Sequence, residues 1–162
     1  MKKLTCIFAV LVSACGWTPL YSTGEKNQLE YPVHIKAIAG AEGVVLRNRI
    51  RTELNPFGEP NDPRYTLAVK LNPRAETYKG IQRTGDATWQ EIRITASFDL
   101  IDSVSGKAVL SDSAEVSESY TFVQNLIAAN SASEAATSSA LRILSEKISM
   151  RIKIFIKSGA AI

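Results

Sequence analysis

From Glu91 to Leu100 the chain alternates without a break: Ile92, Ile94, Ala96, Phe98 and Leu100 are apolar, and Glu91, Arg93, Thr95, Ser97 and Asp99 stand between them. Successive side chains of a strand point to opposite faces, so this segment reads as a strand with one side in a core and the other in water. A helix would scatter the same residues around its surface. The apolar side of such a sheet needs a second layer to hide it, and that requirement organises the rest of the chain.

Other segments fit the same plan. Tyr65, Leu67, Val69 and Leu71 alternate with Thr66, Ala68, Lys70 and Asn72, giving another half-buried strand. Ser103-Val104-Ser105-Gly106 turns the chain, with Gly106 free to take positive φ. Lys107 to Phe122 returns as a strand whose alternation fails around Asp112 and Glu118, where a bulge or partial edge exposure is expected. Val33 to Ile38, β-branched and set between Pro32 and Gly40, suits a first strand.

Two stretches carry helical steps instead. Leu46, Ile50 and Leu54 recur every fourth residue within Ala41 to Leu54, and Asn55-Pro56 ends that helix. The turn-forming residues through Pro63 make a surface loop. From Ala128 to Ile156 a longer stripe runs through Ala132, Ala135, Ala136 and Ala140, then Leu141, Leu144, Ile148, Ile152 and Phe155. The expected architecture is α+β, in the order β-α-β-β-β-α. It is a two-layer sandwich with two helices packed on one face of a four-stranded, mainly antiparallel sheet. One domain over 32–157 accounts for it, followed by a short tail at 158–162.

The N-terminus obeys a different logic. Lys2-Lys3, the apolar run from Leu4 to Val12, and Ser13-Ala14 before Cys15 form a positive start, an apolar core and a small-residue exit. The run is too short to span a bilayer, which takes roughly 20 apolar residues, and it reads as a cleaved export signal over 1–14. Ser13-Ala14-Cys15 resembles the lipobox of bacterial lipoproteins, in which the cysteine is acylated and becomes the first residue of the mature chain. An ordinary secretory signal that happens to contain a cysteine is the plainer alternative. Cys6 leaves with the signal, so Cys15 is the one cysteine retained and no disulfide forms. One acyl chain anchors weakly at about 0.8 kcal/mol per buried methylene, whereas two or three hold lastingly. Residues 15–31 then serve as a lipidated tether, and Gly16, where Asp would argue for inner-membrane retention, points to the outer membrane.

Composition and motifs offer no chemistry. Two of the 19 Lys and Arg leave with the signal against 16 Asp and Glu, a near-neutral balance that gives nucleic-acid binding no support. The single histidine, His34, has no second histidine or free cysteine to make a zinc site. Glu115 with Glu118 and Asp99 with Asp102 read as solvated carboxylates on strands and turns. Gly80-Ile81-Gln82-Arg83-Thr84-Gly85 lacks the Lys-Ser/Thr of a phosphate loop and reads as a hairpin tip. No enzyme and no cofactor beyond lipid on Cys15 are expected. Arg74, Lys79, Arg83 and Arg93 gather around that hairpin, either to meet an anionic group such as a lipid phosphate or as a solvated rim. Arg47, Arg49 and Arg51 read as a solvated helix face with one or two protein contacts.

Together the residues Cys15-Gly16-Trp17-Thr18-Pro19-Leu20-Tyr21, Glu42-Gly43, Leu46-Arg47-Asn48-Arg49, Tyr65-Thr66-Leu67, Asp86-Ala87-Thr88, Phe98-Asp99-Leu100 and Ala140-Leu141 resemble the LPS-assembly lipoprotein LptE (RlpB) family, particularly its alphaproteobacterial forms. That resemblance implies a non-enzymatic outer-membrane lipoprotein. It would plug and help assemble the large β-barrel LptD, contact lipopolysaccharide, and face the periplasm on a lipid anchor. As a plug it would turn polar strand faces such as Thr66, Lys70, Arg93, Thr95 and Ser97 to the barrel lumen. Two other readings stay open: a lipoprotein accessory of an ABC-type lipid or phospholipid transport system, and a lipid-anchored periplasmic enzyme.

Overall fold

The computed structural model describes residues 31–81, 87–121 and 125–159. The signal over 1–14, Cys15, and the tether through residue 30 lie outside the described residues; its last residue, Tyr31, donates its N–H to the Leu54 carbonyl at 3.3 Å. The elements run β1 (Val33–Ile35), α1 (Ala41–Leu54), β2 (Tyr65–Leu71), β3 (Ala75–Ile81), β4 (Ala87–Asp102), β5 (Ala108–Thr121) and α2 (Leu126–Gly159).

All five strands belong to one sheet, and β4 is its spine. Along one side β5 pairs antiparallel from Trp89↔Thr121 to Ile101↔Ala108. The other side is shared by β2, from Tyr65↔Asp102 to Leu71↔Ala96, and by β3, from Ala75↔Arg93 to Ile81↔Ala87. β2 and β3 are therefore two halves of one strand, interrupted at Asn72-Pro73-Arg74. Asn72 still donates its N–H to the Thr95 carbonyl at 2.9 Å, while Pro73 has none to give. β1 joins β2 in parallel, with His34 opposite Thr66.

The α+β class and the order of the sequence reading hold, with one strand more than the four expected. β3 escaped because Ala75 through Lys79 is exposed on both faces, so no apolar alternation reports it. The bulge expected near Asp112 and Glu118 is absent: the β4–β5 register is unbroken there and shifts between Leu100 and Ile101, beside the turn. Edge exposure of β5 is what interrupts its pattern.

Both helices lie on the side of the sheet to which Ile92, Ile94, Ala96, Phe98 and Leu100 point. These residues are buried with Val33, Ile35 and Leu67 beneath Leu46, Ile50 and Leu54 of α1 and Leu141, Leu144, Ile148 and Ile152 of α2. Each large aliphatic side chain so buried contributes about 1.5–3 kcal/mol. With 34 residues, α2 has a length of about 51 Å and packs chiefly on β5 and α1, with lesser contact to β4. The shorter α1 packs on α2 and β1.

Local signals fix the ends of these pieces. Gly40 at φ 85° starts α1, and Glu42 stands in its first turn, where a negative charge complements the exposed N–H groups. Asn55 ends it: its N–H bonds to the Arg51 carbonyl at 2.7 Å, and its buried Nδ2 donates to the Val33 carbonyl at 2.7 Å. Arg47 Nε donates to the Ile35 carbonyl at 3.0 Å, so α1 grips β1 twice. Gly106 takes φ 67° as expected. Asp102 Oδ1 accepts from the N–H groups of Val104 at 3.1 Å and Ser105 at 2.7 Å, closing the β4–β5 turn. α2 begins two residues before the expected Ala128 and runs into the supposed tail through Gly159, leaving 160–162 outside the described residues.

Candidate functional site

The face of the sheet opposite the helices is uncovered among the described residues, and it is polar. Register decides its membership. Odd positions of β4 and β5 share it, because partners across that ladder have the same parity. Even positions of β2 join them, because Thr66 stands opposite Ile101 and Lys70 opposite Ser97. The five residues expected on a polar strand face, Thr66, Lys70, Arg93, Thr95 and Ser97, thus lie on one surface. Beside them β5 contributes Ser111, Ser113, Glu115, Ser117 and Ser119.

Most charge on this face is neutralised within it. Glu91, its carboxylate side chain only 17% exposed, sits 3.1 Å from the Arg93 guanidinium and 3.7 Å from Lys79 Nζ. Arg93 Nε is also 3.6 Å from Glu115 and donates to Ser117 Oγ at 3.3 Å. Ser111 Oγ donates to Asp99 at 2.5 Å, and Thr95 Oγ1 to Glu115 at 3.4 Å. Between Glu91 and Asp99 the result is a field of short hydroxyls and paired ions, with the exposed Trp89 and the half-buried Ile101 at its two ends. It can meet another polar surface through many small contacts, but it holds no converging acid, base and nucleophile.

The anion-binding candidates divide. Lys79 and Arg93 meet over Glu91 on the uncovered face. Arg74 lies on the helix side, 3.1 Å from Glu76 and 3.5 Å from Glu42, and donates to Thr137 Oγ1 at 3.3 Å. Arg83 lies outside the described residues, as does the rest of the hairpin tip from 82 to 86. On α1, Arg47 pairs with Glu59 at 2.9 Å and Arg49 donates to Ser138 Oγ at 3.1 Å.

His34 Nδ1 is 3.2 Å from Glu59 Oε2 at the β1 edge. Glu115 and Glu118 fall on opposite faces of β5. Asp102, on the turn, is held below the ordinary carboxylate range chiefly by hydrogen bonds from the Ser105 backbone and side chain, with smaller help from Val104 and the Arg64 charge. Among the described residues no group of three or more His, Cys, Asp or Glu could hold a metal ion, and no helix is long and apolar enough to cross a membrane. A hollow of about 440 Å³ between the helices is lined by Asn48, Arg49, Thr52, Glu53, Arg142, Ser145 and Glu146.

Sequence reasoning missed the part played by β5. Its signal was present, since Ser111, Ser113, Ser117 and Ser119 stand at even spacing. The absence of matching apolar residues on the other parity at Asp112 and Glu118 hid it.

Neither a family sequence model nor a curated protein sequence matches the chain. Its fold does match solved structures. A candidate lipoprotein from Caulobacter crescentus is 20% identical over 79% of this chain and 92% of its own, with a TM-score of 0.61. Rare lipoprotein B from Shewanella oneidensis is 14% identical over 80% and 98%, with a TM-score of 0.59. A lipoprotein B from Nitrosomonas europaea is 14% identical over 86% and 95%, with a TM-score of 0.60. At such identities the likeness is one of fold: this chain has an architecture that bacterial lipoproteins carry, rare lipoprotein B among them.

Proposed function

We propose that this chain is an outer-membrane lipoprotein of the LptE (RlpB) kind, lipidated on Cys15. It acts without catalysis as plug and assembly partner of a large LptD-like β-barrel in lipopolysaccharide transport. The observation that carries the reading is the division of the sheet into an apolar face sealed by helices and a polar face left open. A barrel lumen is itself polar, so a plug has to present polar surface outward while keeping its own core dry. A sheet with two apolar faces would have contradicted this. The shared architecture with rare lipoprotein B supports the same reading, and so do the lipobox-like Cys15 and the Gly16 after it.

Lys79 and Arg93 are the described residues best placed to meet a lipopolysaccharide phosphate, since they share one carboxylate at the outer face of β3 and β4. Arg83 belongs to the same proposal by its position in the hairpin. Arg74, which turns to the helix side and not to the open face, is the weakest of the four.

Purification from membranes through a C-terminal tag tests the plug. A large β-barrel recovered in roughly equal amount is the expected result. Recovery alone, or with inner-membrane transporter subunits, would sink it, and the latter would favour the ABC-type accessory.

A further inference from the structure

Among the described residues, the outer edge of the sheet is guarded along half of β5 and bare along the other half. The Thr95 carbonyl is engaged by Asn72, on the side of β4 away from β5, and Thr95 stands opposite Glu115. In an antiparallel ladder the N–H and C=O of one residue point to the same side. The backbone groups of Glu115 therefore face outward, as do those of Ser113, Ser117 and Ser119. α2 covers two of these carbonyls: Lys147 Nζ donates to Glu115 at 2.9 Å and Arg151 to Ser113 at 2.5 Å. Charged side chains over an edge are a common guard against addition of another strand.

Further along, no hydrogen bond among the described residues reaches the outer groups of Ser117 and Ser119. The neighbouring stretch of α2 carries the small, uncharged side chains of Ala132, Ala135, Ala136 and Ser139. Glu118 points to the helix side, half-buried, accepting from Ser139 Oγ at 3.5 Å. No cation lies within ion-pair distance of it among the described residues.

We infer that this half of β5, Val116 to Ser119, receives an extended segment of a partner protein, which adds as a further strand and sets a basic side chain beside Glu118. Unpaired backbone donors and acceptors in strand spacing are complemented by another strand, and addition at such an edge is an established mode of peptide recognition. The charge selects the occupant. β5 carries no Lys or Arg; Asp112 pairs with Arg151 and Glu115 with Arg93, so Glu118 is the carboxylate left without a cation among the described residues, and a second copy of this strand brings nothing to neutralise it. A strand bearing Lys or Arg supplies what a second copy lacks. The inference goes beyond the plug reading and does not require a barrel.

Amide exchange, resolved by residue, compares the full-length protein in isolated membranes with the same protein purified. Ser117 and Ser119 exchange freely when purified and slow by about 100-fold or more in membranes, while the Asn61-Asp62 loop is unchanged. Equal exchange in both settings overturns the proposal. Ser117→Pro removes an outward N–H together with the exposed Oγ that Arg93 bonds, so its melting temperature falls only slightly while the membrane protection at Ser119 is lost; Ser117→Ala, which loses the Oγ alone, keeps that protection. Glu118→Lys tests the charge without touching the backbone: protection falls by about 10-fold or more at both amides, and undiminished protection overturns the basic partner. Purified protein of doubled mass with these amides already protected would assign the edge to a second copy and overturn it too.

Discussion

Gly43 occupies the interior of α1, a position where glycine costs up to about 1 kcal/mol relative to alanine. Here it is required, because a Cβ would stand 2.8 Å from the Ile38 carbonyl oxygen and 2.9 Å from its carbon. Gly43→Ala should lower stability by about 1–3 kcal/mol, read as a shift in the urea unfolding midpoint, although helix propensity alone predicts a gain. The sequence marked Glu42-Gly43 only as part of a resemblance. Periodicity identifies which face of a helix is buried, and it carries no information on how closely a backbone passes. Asp102 shows the complementary case. The Ser103-Gly106 turn was legible from its residues, but the carboxylate that holds it was not. Its pKa is lowered on folding, so its stabilisation is present above the ordinary value of 3.8 and lost as pH falls through the lower folded value. Asp102→Ala should melt below wild type at neutral pH, the gap closing below about pH 3.8 in a series of thermal scans.

Among elements, those with one wet and one dry face were plain in the sequence. β4 is the clearest, since every even residue from Gln90 to Leu100 is buried. β3 was invisible because both its faces meet solvent, and it persists as a strand through its backbone pairing to β4. The role of α2 was half legible: the stripe from Leu141 to Ile152 announced its inner side, but nothing local indicates that Lys147 and Arg151 reach across to β5 carbonyls. Removing both, as Lys147→Ala with Arg151→Ala, should cost less than about 1 kcal/mol at each exposed site. It should also raise self-association, seen as light scattering at high concentration, because the guarded half of the edge is opened.

For the molecule as a whole, the α+β class was accessible from pattern because each layer advertises its apolar side. The uncovered face was accessible only in part, since membership depends on register between strands that the sequence does not state. Ser97 and Ser113 stand directly opposite each other on that face. Ser97→Leu with Ser113→Leu should leave stability within about 0.5 kcal/mol, as surface changes usually do, and cut barrel recovery by about tenfold or more if polar contact across the lumen is what holds the plug. Finally, the three residues of β1 are where the chain ahead of Tyr31 enters the fold. Any tension on that chain, from a membrane or a moving partner, arrives at the shortest strand of the sheet. It passes from there through Asn55 and Arg47 into α1 and through the backbone pairing with β2 into the sheet. The corner where the chain enters is thus anchored in both layers at once, and a pull there is divided between the helix and the sheet.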